Sequence, residues 1–297
     1  MRYSSLCLSS AIALLSSFAA ATSQAAVISA INDDVSKFSP SSSEADIIAS
    51  GAASVTFGET TLYIGTRQPT GQNQDPIIAS FTNGFKNWSR SNYETTGADG
   101  RGIGLLWDGL ANLYAAFTVD GTQGTPSEDF RRFTADGWLP TYGAGGGAKA
   151  SVLLKLDPTT GEAIPGAGTF IRSQLMSGQT NTVNPTGLDL VDNQVVFFGE
   201  SFFSPLRRDR SRMQPNSPNQ DSPFDYRVVF NSNLTEALDT EAIGWDGVTE
   251  FSSLTAGNGG GVGETPTEPV PEPLTMLGTG AALGLGVFMR RRQQQAA

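Results

Sequence analysis

The chain has 297 residues, contains no histidine and one cysteine, Cys7, and carries a formal net charge of −10 at pH 7. Without imidazole and with a single thiol, it cannot form a His/Cys zinc site, an intramolecular disulfide, or a Ser-His-Asp or Cys-His catalytic centre. The acidic balance also disfavours a nucleic-acid partner, because proteins that bind nucleic acid present a basic surface.

The N-terminus has the pattern of a secretory signal peptide over residues 1–25. Arg2 is the only charge ahead of a small-residue apolar run at 6–21, and a small-x-small motif, Ser-Gln-Ala, ends at Ala25. We therefore expect an N-terminal signal helix, export by the secretion machinery, and cleavage between Ala25 and Ala26. A signal-anchor that is never cut is the alternative.

Residues 26–255 form a repeat region with strand-like patterning, and the best helical pattern within it, at 42–49, is short. Each copy of the repeat contains two predicted β-hairpins, and the first hairpin of each copy opens with glycine. The first hairpins occupy 51–66, 102–117 and 187–200, and the second hairpins occupy 76–88, 151–164 and 226–238. The pattern predicts an all-β domain of repeated four-stranded antiparallel units.

The second copy shows the sequence motif of the repeat most clearly: Gly102-Ile103, Asn112-Leu113-Tyr114, Lys155-Leu156-Asp157-Pro158 and Gly161. These residues resemble the SBBP-type repeats of bacterial β-propellers. The resemblance implies a small or incomplete β-propeller, and a β-sandwich is the alternative that the same strands would suit. Because propellers usually have four to eight blades, a fourth blade could be assembled from the two ends of the region, 34–40 and 242–254.

Two long loops lengthen the second and third copies, and such loops are usually functional or disordered. The first long loop, residues 119–149, contains Tyr142 and Trp138, of which Trp138 is predicted to be exposed. The arginine loop, residues 201–224, holds the one basic cluster of this acidic chain: Arg207, Arg208, Arg210 and Arg212. We expect ligand contacts in these two loops. Guanidinium groups bind carboxylates in bidentate fashion and suit an anionic polysaccharide.

Two less specific features qualify that expectation. The arginine loop also contains Asp209 and Asp221, so a solvated loop that balances its own charge is the alternative. The remaining tryptophans, Trp88, Trp107 and Trp245, fall in repeat strands or turns and are predicted to pack in the core.

Catalysis without histidine would need a pair of carboxylates, as in glycoside hydrolases. Candidates exist, but no motif pairs them, and we expect a protein that is not an enzyme and has no cofactor. Five Asp-Gly pairs raise calcium as an alternative, although none fits the Asp-x-Asp-x-Asp-Gly pattern and Asp-Gly is ordinary turn chemistry. The candidate carboxylates are Glu128, Asp129, Asp189, Asp192 and Glu200.

The C-terminus has three parts in a fixed order. A Gly/Pro/Thr-rich spacer at 256–270 leads to Pro271-Glu272-Pro273, sixteen uncharged residues follow at 274–289, and Arg290, Arg291 and Arg292 come next. As a helix, the uncharged run would be about 24 Å long at ~1.5 Å per residue, which is short of the ~30 Å hydrocarbon layer. The arginines would hold its far end at the cytoplasmic surface, and residues 293–297 form a polar tail.

This order resembles the PEP-CTERM sorting signal of Gram-negative bacteria, and we assign residues 271–292 to it. The resemblance implies a short C-terminal transmembrane helix in the inner membrane, cutting near Pro-Glu-Pro by an exosortase, and release to the cell surface or the extracellular polysaccharide matrix. We therefore expect an exported surface or matrix protein whose β-repeat body binds polysaccharide or a protein partner. The alternatives are an extracellular carboxylate-based glycoside hydrolase and a permanently membrane-anchored envelope protein.

Overall fold

The computed structural model describes residues 28–32, 36–218 and 220–254. The predicted signal peptide, spacer, sorting signal and polar tail lie outside the described residues, and so do Ala25, Ala26, Pro271, Glu272, Pro273 and Arg290 to Arg292. The described chain is all-β and antiparallel, as predicted, and it forms three sheets of four or five strands. No helix in this part of the chain is long and apolar enough to cross a membrane.

The first sheet is a four-stranded meander whose strands follow the order of the chain. It consists of β2 (Ala53–Phe57), β3 (Thr60–Thr70), β4 (Asn73–Thr82) and β5 (Phe85–Arg90). Both predicted hairpins of the first copy are therefore confirmed. The turn between β4 and β5 uses Asn83 and Gly84, both at positive φ, which is the conformation that short hairpin turns require.

The second sheet repeats this meander and gains one strand from the N-terminal side. Its strands are β1 (Ile28–Ile31), β6 (Gly100–Trp107), β7 (Leu113–Val119), β8 (Ala150–Leu156) and β9 (Ala163–Ile171). Strand β1 pairs antiparallel with β6 and covers the edge that β6 would otherwise expose.

The third sheet is again a meander in chain order. It consists of β12 (Val183–Val191), β13 (Gln194–Ser201), β14 (Phe224–Phe230) and β15 (Ala237–Ala242). A two-stranded ribbon, β10 (Ser173–Gln174) and β11 (Thr180–Asn181), connects the second sheet to it. The six predicted hairpins are thus all present.

The fourth repeat unit predicted from the chain ends is not formed by the described residues. Strand β1 joins the second sheet instead, and the described part of 34–40 lies beside β3, where Lys37 bridges to Thr66 in parallel. Residues 243–254 contain turns and irregular structure but no strand. The N-terminal segments therefore pair with strands of the first and second sheets.

One continuous core joins the three sheets. Alternation along β3 sends Leu62 and Ile64 into this core, together with Phe117, Phe170 and Phe197 from the other sheets. Strand β6 packs closely on β3: a Cβ added to Gly102 would lie 2.5 Å from the carbonyl oxygen of Gly65. The glycine that opens the second repeat is therefore required by a close backbone approach.

The outer face of the first sheet has its own small core under helix α1 (Glu44–Ala49). Ser43 caps this helix, accepting from the backbone N–H of Asp46 at 3.2 Å while the Asp46 carboxylate accepts from the backbone N–H of Ser43. Ile47 is fully buried beneath it, and Tyr63 donates to Glu44 at 2.8 Å. Burial and this carboxylate raise the pKa of Tyr63 to about 12.

The Asp-Pro turn of the second copy, residues 157–161, fastens the second sheet to the first. Its backbone carbonyls accept hydrogen bonds from Trp88 Nε1 at 3.2 Å, from Arg90 Nε at 2.9 Å and from Tyr93 OH at 2.7 Å. Gly161 has φ +69°, and a Cβ there would lie 2.4 Å from the Trp88 ring. The repeat motif Lys-Leu-Asp-Pro…Gly thus encodes a contact between sheets as well as a turn.

Candidate ligand-binding cleft

A partly enclosed cleft of about 280 Å³ lies at one end of the third sheet. Because neighbouring strands run antiparallel, the end of β13, the start of β14 and the end of β15 meet at this same edge. The arginine loop closes the cleft on one side, and Met176, from the turn between β10 and β11, lies at its rim.

Backbone hydrogen bonds hold the walls of the cleft in place. Asn216 donates to the carbonyl of Gly244 at 2.8 Å, and Asp246 donates to the carbonyl of Gln214 at 2.8 Å. Met213 donates to the carbonyl of Pro205 at 2.9 Å. The arginine loop is therefore tied both to itself and to the turn that follows β15, so the cleft is built on paired backbone.

The inner surface of the cleft combines aromatic rings with two polar atoms that lack a partner. Phe202, Phe203, Phe224 and Trp245 contribute the rings, and the Phe224 and Trp245 rings meet edge to face at 5.0 Å. The Trp245 side chain is 5% exposed, and neither its Nε1 nor Oε1 of Gln220 has a hydrogen-bond partner among the described residues. Native proteins rarely bury such groups unpaired.

Arg212 supplies the positive charge of the cleft. Its Nη1 lies 2.8 Å from the sulfur of Met176, which is a weak acceptor. Within the described part of the chain, no carboxylate comes within ion-pair distance of this guanidinium, although ion pairs form around it. An arginine without a counter-ion on an acidic protein favours an anionic ligand.

The other arginines of the loop do not line this cleft. Arg207 makes a bidentate pair with Asp246, at 2.6 and 2.8 Å, and Arg208 pairs with Glu236 at 2.9 Å. Arg210 is exposed in a turn at φ +71°. The four arginines therefore do not share one environment: Arg207 and Arg208 are ion-paired, and of the four only Arg212 lines this cleft. The predicted ligand contacts of the other three stay a prediction.

The counter-ions also differ from those expected for a loop that balances its own charge. The carboxylate of Asp209 accepts from the hydroxyl and the backbone N–H of Ser211, and these hydrogen bonds lower the pKa of Asp209. The ion-pair partners of Arg207 and Arg208 come instead from beyond the loop, 39 and 28 residues further along the chain.

The prediction that Trp138 is exposed is wrong. Its side chain is 2% exposed, its Nε1 donates to the carbonyl of Arg208 at 2.8 Å, and its ring packs at 5.8 Å against Phe230. The first long loop is folded onto the third sheet, where the backbone N–H of Trp138 also bonds to the carbonyl of Leu234. Trp138 joins two repeat units and has no free face for a ligand.

Tyr142 is also unsuited to contact a ligand. It is 1% exposed, and its hydroxyl donates to the carbonyl of Ala148 at 2.6 Å. The glycine-rich stretch after it closes a compact turn over the second sheet, where Thr180 donates to the Tyr142 carbonyl. The three tryptophans predicted to pack in the core do so: Trp107 and Trp245 are buried, and Trp88 is partly buried against the core.

The carboxylates named for hydrolysis are not arranged as an acid–base pair around this cleft. Asp189 faces Val196 across the β12–β13 ladder, whereas Glu200 faces Asn184. Along β13, four residues separate Val196 from Glu200, or about 13 Å at ~3.3 Å per residue, which exceeds the ~5–9.5 Å between glycosidase carboxyls. Asp192 occupies the hairpin turn at positive φ, still further from Glu200.

The remaining two carboxylates have structural partners in the first long loop. Asp129 is 1% exposed and pairs with Arg131 at 2.8 Å. Glu128 accepts from the backbone N–H and hydroxyl of Thr125, and these hydrogen bonds lower its pKa. The carboxylates of the described residues form no group of three or more that could hold a metal ion.

Sequence reasoning missed two buried acids, Asp75 and Glu94, and the environment of Glu94 is unusual. Its side chain is fully buried, its Oε1 accepts from the backbone N–H of Thr96 at 2.8 Å, and its Oε2 has no partner among the described residues. Burial, chiefly, and the nearby carboxylates of Asp75 and Asp129 raise the pKa of Glu94. No local pattern marks this residue, because its burial depends on contacts between sheets.

The comparisons with known proteins do not extend this description. No protein-family model, no curated protein and no solved structure matches the chain. The cleft and the ordered features at the two ends of the sequence therefore carry the functional argument.

Proposed function

We propose that this protein is an exported surface or matrix protein, sorted by its C-terminal signal and carrying a non-catalytic β-repeat body that binds a ligand. The observation that carries the proposal is the fixed order of Pro271-Glu272-Pro273, an uncharged run and three arginines. The N-terminal signal pattern supports it, because a sorting signal of this kind acts only on an exported chain.

The body is proposed to be a small, propeller-like stack of repeat units. Three successive meander sheets in chain order support this arrangement over a two-sheet sandwich, since a propeller blade is a four-stranded antiparallel unit. Strand β6 packs on the first sheet and β12 on the second, so consecutive units stack on one another. Ligands would meet such a body at the ends of its strands, where the cleft lies.

The decisive experiment is intact mass spectrometry on the protein recovered from the surface and culture fluid of its host. The proposal predicts a chain that begins at Ala26 and ends near Pro271 to Pro273. Replacing Glu272 with Ala should block this trimming and shift the protein to the inner-membrane fraction. The matched control replaces Gln293, outside the signal, and should leave processing unchanged.

A chain that retains Arg290 to Arg292 and occurs only in the membrane fraction would refute sorting and favour the permanently anchored alternative. The hydrolase alternative is tested separately by incubating the protein with polysaccharides and measuring new reducing ends. Release of new reducing ends would support the hydrolase alternative. If that release persisted after every named carboxylate had been replaced, the catalytic residues would have to lie elsewhere in the body.

A further inference from the structure

We propose that the cleft binds a uronic-acid residue of an acidic polysaccharide, with Arg212 holding the carboxylate and Trp245 and Gln220 holding hydroxyl groups. This inference rests on the proposed function only in assuming that the protein meets its ligand at the cell surface or in the matrix. The evidence for the kind of ligand is the chemistry of the cleft alone.

The charge of the cleft selects a carboxylate. Arg212 faces the cleft without a carboxylate partner among the described residues, while Arg207 and Arg208 nearby are neutralised by Asp246 and Glu236. Guanidinium groups bind carboxylates through two parallel hydrogen bonds, which fix the orientation of the bound group. On a chain with a net charge of −10, an uncompensated cation inside a cleft gives a local preference for anions.

The unpaired polar atoms select hydroxyl groups. The indole N–H of Trp245 can only donate a hydrogen bond, and the amide oxygen of Gln220 can only accept one. Both residues line the cleft, and both atoms are buried without a partner in the described chain, so a ligand that enters the cleft would have to reach them at its wall. The amide nitrogen of Gln220 already donates to the carbonyl of Gly244, which leaves the amide oxygen as the unpaired atom. A sugar hydroxyl both donates and accepts, so adjacent hydroxyls satisfy the two groups together.

The aromatic lining and the size of the cleft select a ring. Phe202, Phe203 and Phe224 are each partly exposed along the wall, and partly exposed aromatic faces pack against the C–H face of a pyranose. The volume of about 280 Å³ lies at the lower end of the ~300–1,000 Å³ typical of small-molecule sites. It therefore accommodates a single sugar unit of a longer chain that passes over the rim.

An extended acidic, proline-rich peptide is the competing occupant, because indole N–H groups in aromatic grooves also donate to peptide carbonyls. The sugar is favoured because the cleft is a short, partly enclosed pocket whose lining residues include both an unpaired donor and an unpaired acceptor. A peptide would need a groove long enough for several residues. The experiment treats peptide binding as an outcome that overturns the proposal.

The test is isothermal titration calorimetry on the purified full-length chain, kept in mild detergent. The probes are tetrasaccharides of galacturonate, glucuronate and mannuronate, each compared with its carboxyl-reduced counterpart, in which a neutral hydroxymethyl group replaces each carboxylate. We expect binding of at least one uronate and at least tenfold weaker binding of its reduced form. Raising the salt concentration from 0.05 to 0.5 M should weaken the charged probe only.

Three variants locate the site. Arg212→Gln should weaken uronate binding about tenfold or more, as expected for the loss of charge-assisted hydrogen bonds. Trp245→Phe keeps an aromatic ring, although a smaller one, removes the N–H and should weaken binding a few-fold. Arg210→Gln is the matched control, because it removes an exposed arginine of the same loop that does not line the cleft, and it should bind like the parent. Near-ultraviolet circular dichroism checks that each variant is folded.

Equal binding of a uronate and its reduced form, unchanged binding by Arg212→Gln, or binding of a Pro-Glu-rich peptide in place of any sugar would each overturn the proposal. Absence of binding to any of the probes would overturn it as well. The sorting proposal fails in a different measurement: a chain that binds uronates in the calorimeter but retains its arginine tail in the host refutes sorting alone.

Discussion

Arg227 is the residue whose replacement we expect to destabilise the third sheet most clearly. It lies on β14 directly opposite Glu241 on β15, and its guanidinium is 2.6 Å from that carboxylate. The same guanidinium donates to the backbone carbonyl of Ser252 at 2.7 Å and lies 5.1 Å from the ring of Phe251. One side chain thus joins two strands and fixes the end of the described chain.

The magnitude follows from the burial of this pair. The Arg227 side chain is 3% exposed and that of Glu241 is 16% exposed. Removing one member of a buried ion pair costs ~3–5 kcal/mol, because the other charge is left without compensation. Glu241 keeps some solvent access, so we expect Arg227→Met to lower the free energy of unfolding by about 3 kcal/mol. An exposed pair between two loops, Arg208 with Glu236, should contribute less than ~1 kcal/mol.

The measurement is urea unfolding at pH 7, followed by tryptophan fluorescence, for the parent, Arg227→Met and Arg208→Met. A double-mutant cycle with Glu241→Gln isolates the coupling between the two strands. If Arg227→Met cost no more than Arg208→Met at an unchanged denaturant slope, the ion pair would not stabilise the sheet. A coupling below ~0.5 kcal/mol would assign the loss to the other contacts of Arg227, with Ser252, with Phe251 and through its stem.

Two further substitutions test the contacts between sheets and the buried acid. Gly161→Ala should cost about 1–3 kcal/mol more than Gly58→Ala, because both positions have positive φ but only a Cβ at 161 meets the Trp88 ring; equal urea midpoints would contradict the contact. Burial raises the pKa of Glu94, so the folded state favours the protonated carboxyl. The stability gained from this preference is fully present below the pKa of the unfolded chain and is lost as pH rises through the pKa of the folded state. As pH rises from 4 to 7, the free energy of unfolding in urea should therefore fall less for Glu94→Gln than for the parent. Equal falls in the two proteins would refute this reasoning.

The hairpins could be predicted because their information is local. Alternation places Leu62 and Ile64 on one face of β3 and Tyr63 on the other, and the turn residues supply the positive φ values. The same reasoning predicts the packing of Trp107. Neither inference requires knowledge of which sheet contacts which.

The errors concern residues whose environment is set by distant parts of the chain. Trp138 lies in a loop with no strand pattern, so its burial depends on Leu234 and Phe230 almost a hundred residues away. Whether the Arg207 guanidinium is ion-paired or free depends in the same way on Asp246. A basic cluster in the sequence indicates where charge is concentrated, but the fold decides which members remain available to a ligand.

The cleft and the tail are linked through the segment that follows β15. At one end of this segment, Trp245 forms a wall of the cleft and bridges to Pro215 of the arginine loop. At the other end, Arg227 holds Ser252, only a few residues before the predicted spacer. Because Arg227 is buried and bonded to both Glu241 and Ser252, it holds the end of the described chain beside the strand that leads into this wall. Arg227→Met should therefore loosen the segment 243–254 as well as the β14–β15 pair, whereas Arg208→Met should leave both in place.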